Sequence, residues 1–358
     1  MMQPFVHETA ACHVRFGHGS LAALPDVLAG MNCQRGVLIT TPRQGSALNG
    51  LGHGAEGRAV VGSIPLARMH TPVDVTEEAL VEVRAFGADC LVALGGGSAI
   101  GLGKALALRT GLPQIAIPTT YAGSEMTPVL GQTENGRKTT LRNPIVQPKA
   151  VIYDVDLTLS MPADVSAASG MNAMAHAVEG LYARNANPLV RLMAQDAVRA
   201  MAAALPAIVA DGQDREARAQ ALYAAWLCGI VLASAGMAIH HKLCHTLGGT
   251  FGLPHAQTHA VVLPHALAYN ASHVPEAMDA LACALNTDDP VAALHGLLRG
   301  LPIPQSLGAL GMPHDGVARA TALALEDAYW NPRPLEEAPL RALLEQAWQG
   351  PGAVGASA

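Results

Sequence analysis

Charge is scarce in this sequence. Only 14% of its 358 residues are Asp, Glu, Lys or Arg, against 50% hydrophobic. That balance excludes a disordered or fibrous chain and fits a tightly packed soluble enzyme. A net charge of −6 offers no electrostatic reason to bind nucleic acid. The six cysteines, Cys12, Cys33, Cys90, Cys228, Cys244 and Cys283, contain no Cys-x-x-Cys pair, so a reduced, cytoplasmic setting is the plain reading. No basic segment followed by an apolar one opens the chain, so no secretory signal is visible. One uncharged run, Ala221 to Ile239, is long enough to cross a bilayer. It is rich in small residues, however, and leads straight into "HHKLCH". It is read as a central buried helix, and no membrane partner is expected.

A chain this long exceeds one core and suggests two domains. In residues 1–160, short apolar runs at 35–40, 58–64, 89–97, 113–120 and 149–154 read as buried strands, with helical spacing in "TEEALVEVRAFG" and "GLGKALALRTG" between them. Alternating strands and helices imply a mostly parallel, doubly wound α/β sheet. From 161 to 358 the strand signals stop. Helical segments are expected at 163–184, 188–210, 213–236, 275–285, 290–299, 315–327 and 335–348, with Pro162 and Pro188 as helix starts and a frayed tail.

"LVALGGGSAIGLGKALAL" puts Gly95, Gly96 and Gly97 between a buried strand and a helix, where backbone N–H groups and the helix dipole favour a phosphate. It is not a Walker A loop, because Ala105 follows Lys104, nor a clean G-x-G-x-x-G fingerprint. The glycines could instead serve only a tight turn; the strand-to-helix context favours a dinucleotide. The next strand ends in "IPTTYAGSEMTP", whose Thr119, Thr120 and Ser124 supply hydroxyls at the carboxyl edge of the sheet.

Two stretches carry the chemistry. In "GMNAMAHAVEG", Asn172 and His176 are four residues apart and share a helix face. "HHKLCHTLGGTFGLPHAQTHAVVLPH" holds His240, His241, His245, His255, His259 and His265; His241 and His245 are one turn apart, and the glycines and "GLP" are expected to break the helix so that His255 arrives from a loop. One histidine on an apolar helix is usually a core residue, but several converging suggest a site.

"GGGS", "PTTYAGSE", the helix with His176, and His241 and His255 followed by "LPH" together resemble the iron-containing (group III) alcohol dehydrogenase family over nearly the whole chain. The resemblance implies a Rossmann-like nucleotide-binding α/β domain, an all-α C-terminal domain of the dehydroquinate synthase-like fold, and an active site in the cleft between them. Metal-dependent members use an Asp and three His, and those positions fall here on Asn172, His176, His241 and His255. The Asp is the one that has departed, and a neutral amide is a poor partner for a divalent cation. "GMNAMAHAVE", "HHKLCHTLGG" and "NPRPL" resemble a narrower branch, the maleylacetate reductases, which reduce a carbon–carbon double bond in bacterial aromatic degradation, generally without a metal.

The resemblance carries cofactor contacts onto Gly96, Gly97, Ser98, Thr119, Thr120, Ser124 and Lys138, with Gly95 beside them. Thr41 stands where many NAD-preferring relatives have an Asp, and with no carboxylate to repel a 2′-phosphate and Arg43 close by, NADPH stays open, while NADH is the first choice. Asn172, His176, His241 and His255 are the candidates for polarising or protonating the substrate. Lys242 and Arg333 are candidates for holding a small dicarboxylate, and Lys242 and Tyr329, which could lend a phenol to the same cleft, are further catalytic candidates. A homodimer is expected. Two rivals remain at this stage: a metal-dependent alcohol dehydrogenase that tolerates Asn172, and a catalytically dead nucleotide-binding module.

Overall fold

Each of the five apolar runs becomes a strand. The computed structural model describes Phe5 and residues 11–45, 60–134, 137–326 and 328–350. Arg58, Ala59, Asp327 and the tail beyond Gly350, on which parts of the sequence reading fall, lie outside them. The chain divides into two units: residues 9–161 form one, and Phe5 groups with residues 162–358 in the other.

Among the described residues the first unit contains eight strands: β1 (His13–Gly17), β2 (Gly36–Ile39), β3 (Val60–Ile64), β4 (Cys90–Gly95), β5 (Gln114–Pro118), β6 (Val129–Glu134), β7 (Arg137–Arg142) and β8 (Ala150–Asp154). Its helices are α1 (Leu24–Gly30), α2 (Pro42–Gly45), α3 (Val73–Phe86) and α4 (Gly97–Thr110). Six strands form one sheet in the order β1-β8-β5-β4-β2-β3, and every pairing in it is parallel. Strands β2, β4, β5 and β8 are buried along their whole length. That burial is why they read as continuous apolar runs rather than alternating ones. The chain leaves β2 for β3 on one side and returns to β4 on the other. The carboxyl ends of β2 and β4 therefore flank a topological switch point, where open α/β sheets bind ligands. The antiparallel hairpin β6–β7 is a separate sheet.

The second unit is helical among the described residues. It comprises α5 (Ala163–Tyr182), α6 (Pro188–Ala210), α7 (Arg215–Ser234), α8 (Ile239–Phe251), α9 (His255–Asn270), α10 (Pro275–Leu285), α11 (Pro290–Arg299), α12 (Gly316–Glu326) and α13 (Glu337–Gln349), with short 3-10 turns. Pro188 occupies the first turn of α6, where its missing N–H has no intrahelical partner, and Asn187 caps that helix by accepting from Leu189 and Val190 N–H. The buried α5 packs against α6, α7 and α9. Close approach sets its position: a Cβ on Gly180 would come within 2.2 Å of Val231 Cγ1 on α7.

Two expectations are corrected here. The apolar run 221–239 is not one helix. It stops at Ser234, passes through an extended Ala235 and restarts at Ile239, so that α8 begins just before His240 and His241. Gly248 and Gly249 do not break α8, which runs on to Phe251 and ends at Gly252 in the left-handed region (φ 67°); His255 is the first residue of α9 rather than a loop residue. Two helices, Pro188–Ala210 and Arg215–Ser234, are long and apolar enough to span a membrane. In this fold they pack against each other and against α5.

Candidate active site

In the α/β unit, the glycine loop sits at the switch point. Gly95 ends β4 with φ +144°, a conformation side chains rarely adopt, and a Cβ there would lie 2.7 Å from Gln44 Oε1. Gly96 precedes α4 and offers no side-chain cap, and Gly97 opens the helix, so the N-terminal N–H groups of α4 are not capped by the residue before them. Thr41 Oγ1 donates to Gln44 Oε1 at 3.1 Å, and Gln44 Nε2 donates to Thr119 Oγ1 at 3.2 Å. Thr119 N–H in turn donates to Gly95 O at 3.1 Å, and Thr120 lies against Gly96. The structure thus brings Thr41, Gly95, Gly96, Gly97, Thr119 and Thr120 together, with Ser98 in the first turn of α4. The backbone of Lys138 runs in β7, and its side chain lies outside the described residues.

Ser124 is positioned by a residue that sequence reasoning discarded. Lys104 on α4 is fully buried, and its Nζ donates to Ser124 O (2.6 Å), Thr127 O (2.8 Å), Val129 O (2.8 Å) and Thr127 Oγ1 (3.0 Å). One ammonium group therefore ties down the loop that follows β5. Burial pushes the Lys104 ammonium down to about 7, against the pull of the Glu125 carboxylate. Glu125 is itself pushed up to about 7 by burial and accepts a hydrogen bond from Tyr153 at 2.9 Å.

In the helical unit, the 3.6-residue period of α5 lines Asn172, His176 and Glu179 along one buried face. Two adjacent helices, α8 and α9, bring the other histidines to it. His176 Nδ1 and His241 Nε2 are 2.8 Å apart, and His241 Nδ1 is 2.5 Å from Glu179 Oε2. His255 joins through ring contacts, 4.4 Å from the His259 centroid and stacked on His245 at 6.4 Å. Beneath this face, His240 Nε2 and His259 Nδ1 lie 3.0 Å apart. Burial, reinforced by the neighbouring imidazoles, holds both well below the ordinary histidine range, so both stay neutral.

The remaining predicted residues fall into two groups. Lys242 is only 8% exposed, unlike an ordinary solvated helix lysine. Its Nζ lies 5.5 Å from the Tyr329 ring centroid, and Tyr329 OH is 3.3 Å from His245 Nδ1. Arg333, by contrast, donates to Tyr269 O at 3.0 Å and stacks on the Tyr269 ring at 4.2 Å. With Asn331 bridging Asn270, it pins the "NPRP" segment to the end of α9. Sequence reasoning missed Glu179, a lone acid among Ala, Met and Gly, whose spacing of three from His176 was the available signal.

The arrangement does not suit a divalent ion as it stands. His241 Nε2, a nitrogen that an ion would need, is engaged by His176. Asn172 offers an amide oxygen that is buried with no hydrogen-bond partner among the described residues, and no charge to offset an ion's desolvation. Among the described residues, the one trio of His, Cys, Asp or Glu ligand atoms within 4.8 Å of one another is His240, Cys244 and His259. There the two imidazoles face each other, and burial raises the thiol far above its usual value, disfavouring the thiolate a metal needs.

Comparison with known proteins follows the same division. The family description "Iron-containing alcohol dehydrogenase" matches residues 11–155, and "Fe-containing alcohol dehydrogenase family, C-terminal" matches 166–348. A maleylacetate reductase of Sphingobium indicum is 51% identical over 97% of this chain and 98% of its own length. The crystal structure of maleylacetate reductase from Agrobacterium tumefaciens superposes with a TM-score of 0.94 at 49% identity, covering 98% of this chain and 99% of that one. An iron-containing alcohol dehydrogenase from Corynebacterium glutamicum superposes with a TM-score of 0.93 at 42% identity, covering 98% of each chain.

Proposed function

Because this chain belongs to the iron-containing alcohol dehydrogenase family and is an oxidoreductase, we propose that it reduces the carbon–carbon double bond of maleylacetate, giving 3-oxoadipate, without a metal ion. The observation that carries the metal-free part is the joint one at α5: an amide at position 172 and a hydrogen bond joining His176 to His241. The activity itself is the one borne by the relatives at about half identity over the full length.

Maleylacetate is an enone flanked by two carboxylates. A reduced nicotinamide held by the glycine loop, Thr41, Thr119 and Thr120 would supply hydride to the alkene carbon β to the ketone, which would place negative charge on the ketone oxygen as an enolate. A proton then goes to the carbon between them, so that maleylacetate, NADH and one proton give 3-oxoadipate and NAD+. In a dry pocket, fixed donors stabilise an enolate strongly because the local dielectric is low. His176 in its imidazolium form and His255 are the donors for that work, with Asn172 orienting the substrate and His241 supporting His176. Lys242, nearly buried and over the Tyr329 ring, is the carboxylate partner in this reading. The glycine loop, Thr41, Thr119, Thr120 and Ser124 hold the cofactor, NADH by preference.

Two measurements address this reading. With NADH deuterated on its transferable face, the product should gain one deuterium on the carbon next to a carboxylate. Deuterium on a carbinol carbon, or turnover of simple aldehydes alone, would instead identify an alcohol dehydrogenase. Gly95→Ala should weaken cofactor binding by about tenfold or more, the equivalent of about 1.4 kcal/mol of strain at a positive φ. Fluorescence titration with NADH reads this directly, and unchanged affinity would remove the loop from the cofactor site.

A further inference from the structure

Glu179 is fully buried on α5, where an unpaired carboxylate would be costly. Three donors reach it. Ala238 N–H donates to Oε2 at 3.0 Å, His240 N–H donates to Oε1 at 2.8 Å, and His241 Nδ1 lies 2.5 Å from Oε2. The first two are backbone groups at the amino end of α8, and a backbone N–H can only donate. Both carboxylate oxygens are therefore held as acceptors by groups that do not titrate, at a helix terminus that favours negative charge. His241 must then carry its hydrogen on Nδ1. In a neutral imidazole that leaves Nε2 with a lone pair, so the hydrogen in the 2.8 Å contact belongs to His176 Nδ1.

We propose that Glu179 is the positioning residue of this site: it fixes the tautomers of His241 and, through it, of His176, so that hydrogens point from His176 to His241 to Glu179. The assignment divides the histidines by task. Both nitrogens of His241 are engaged within the protein, so it acts through His176 rather than on the substrate. His176 Nε2 is not part of this chain of hydrogen bonds, and it carries a proton to donate only when the ring is an imidazolium. The orientation follows from the contacts alone; its part in catalysis rests on the reductase reading.

The test is a two-bond proton–nitrogen correlation spectrum of protein carrying 15N-histidine, with the two rings assigned from His176→Ala and His241→Ala. At mildly alkaline pH both rings should show a protonated Nδ1 and an unprotonated Nε2. A protonated Nε2 on either ring overturns the proposal, and that result needs no variant at position 179. In Glu179→Gln the amide cannot accept at both positions. Both tautomers should invert and kcat should fall about 100-fold, the scale of one acid–base or donor group, while KM changes less than about threefold. Inverted tautomers with unchanged kcat would keep the geometry and overturn the positioning role. Wild-type protein with the expected tautomers but no turnover of maleylacetate would sink the reductase reading and leave the tautomer assignment standing.

Discussion

His176→Ala is expected to lower kcat for maleylacetate by about 10²–10⁴, the range for one positioned acid–base group, with NADH affinity within about twofold. The ring is buried one turn along α5 from Asn172, and its Nδ1 is joined through His241 to Glu179. Adding His241→Ala to this variant should cost little more, because groups that act as a unit lose their effect together. Single-turnover kinetics on both variants and the double check this. Additive losses would mean that His241 works on the substrate independently.

Lys104→Met carries the largest expected stability change. It leaves the carbonyls of Thr127 and Val129 without the donor they have in Lys104, while Ser124 O keeps Thr127 N–H and Oγ1. Each buried unpaired acceptor costs about 1–3 kcal/mol. Removing a buried ammonium returns part of that, so a net loss of about 3 kcal/mol is expected, with a drop in melting temperature of roughly 10 °C. The pH dependence has a definite sign. The folded lysine titrates near 7 against 10.5 for the ordinary group. Between those values the unfolded chain binds more protons, so the Lys104 contribution to stability rises with pH across that window. Wild-type protein should show this rise in urea midpoints between pH 7 and pH 10, and Lys104→Met should lack it. Parallel curves for the two proteins would show that Lys104 keeps an ordinary ammonium.

The architecture was legible wherever burial was uniform. Strands β2, β4, β5 and β8 have no exposed face, so each reads as an unbroken apolar run. Helices α10 and α11 begin at the prolines that mark them. What stayed hidden lacked that contrast. Strand β1, "HVRFG", sits at the sheet edge, half exposed and mixed in character. The hairpin β6–β7 is polar through "GQTENGRKTT". The break at Ala235–Ala238 carries Gly236 as its one local stop signal and is fixed by tertiary contacts, with Asn185 holding Ser234 O and Gly236 N–H and Glu179 accepting from Ala238 N–H. At the site, the sequence pointed to Asn172, His176, His241 and His255 because spacing and residue type suffice for that. It could not show that Lys104 is a buried loop anchor or that Glu179 orients an imidazole, since both depend on elements far apart in the chain.

The most direct test of metal-free reduction is the rate of NADH oxidation by maleylacetate in protein exhaustively treated with a chelator. Full activity that does not respond to added iron or zinc is the predicted result. No oxidation until iron or zinc is restored would contradict it and return Asn172, His176, His241 and His255 to a metal site.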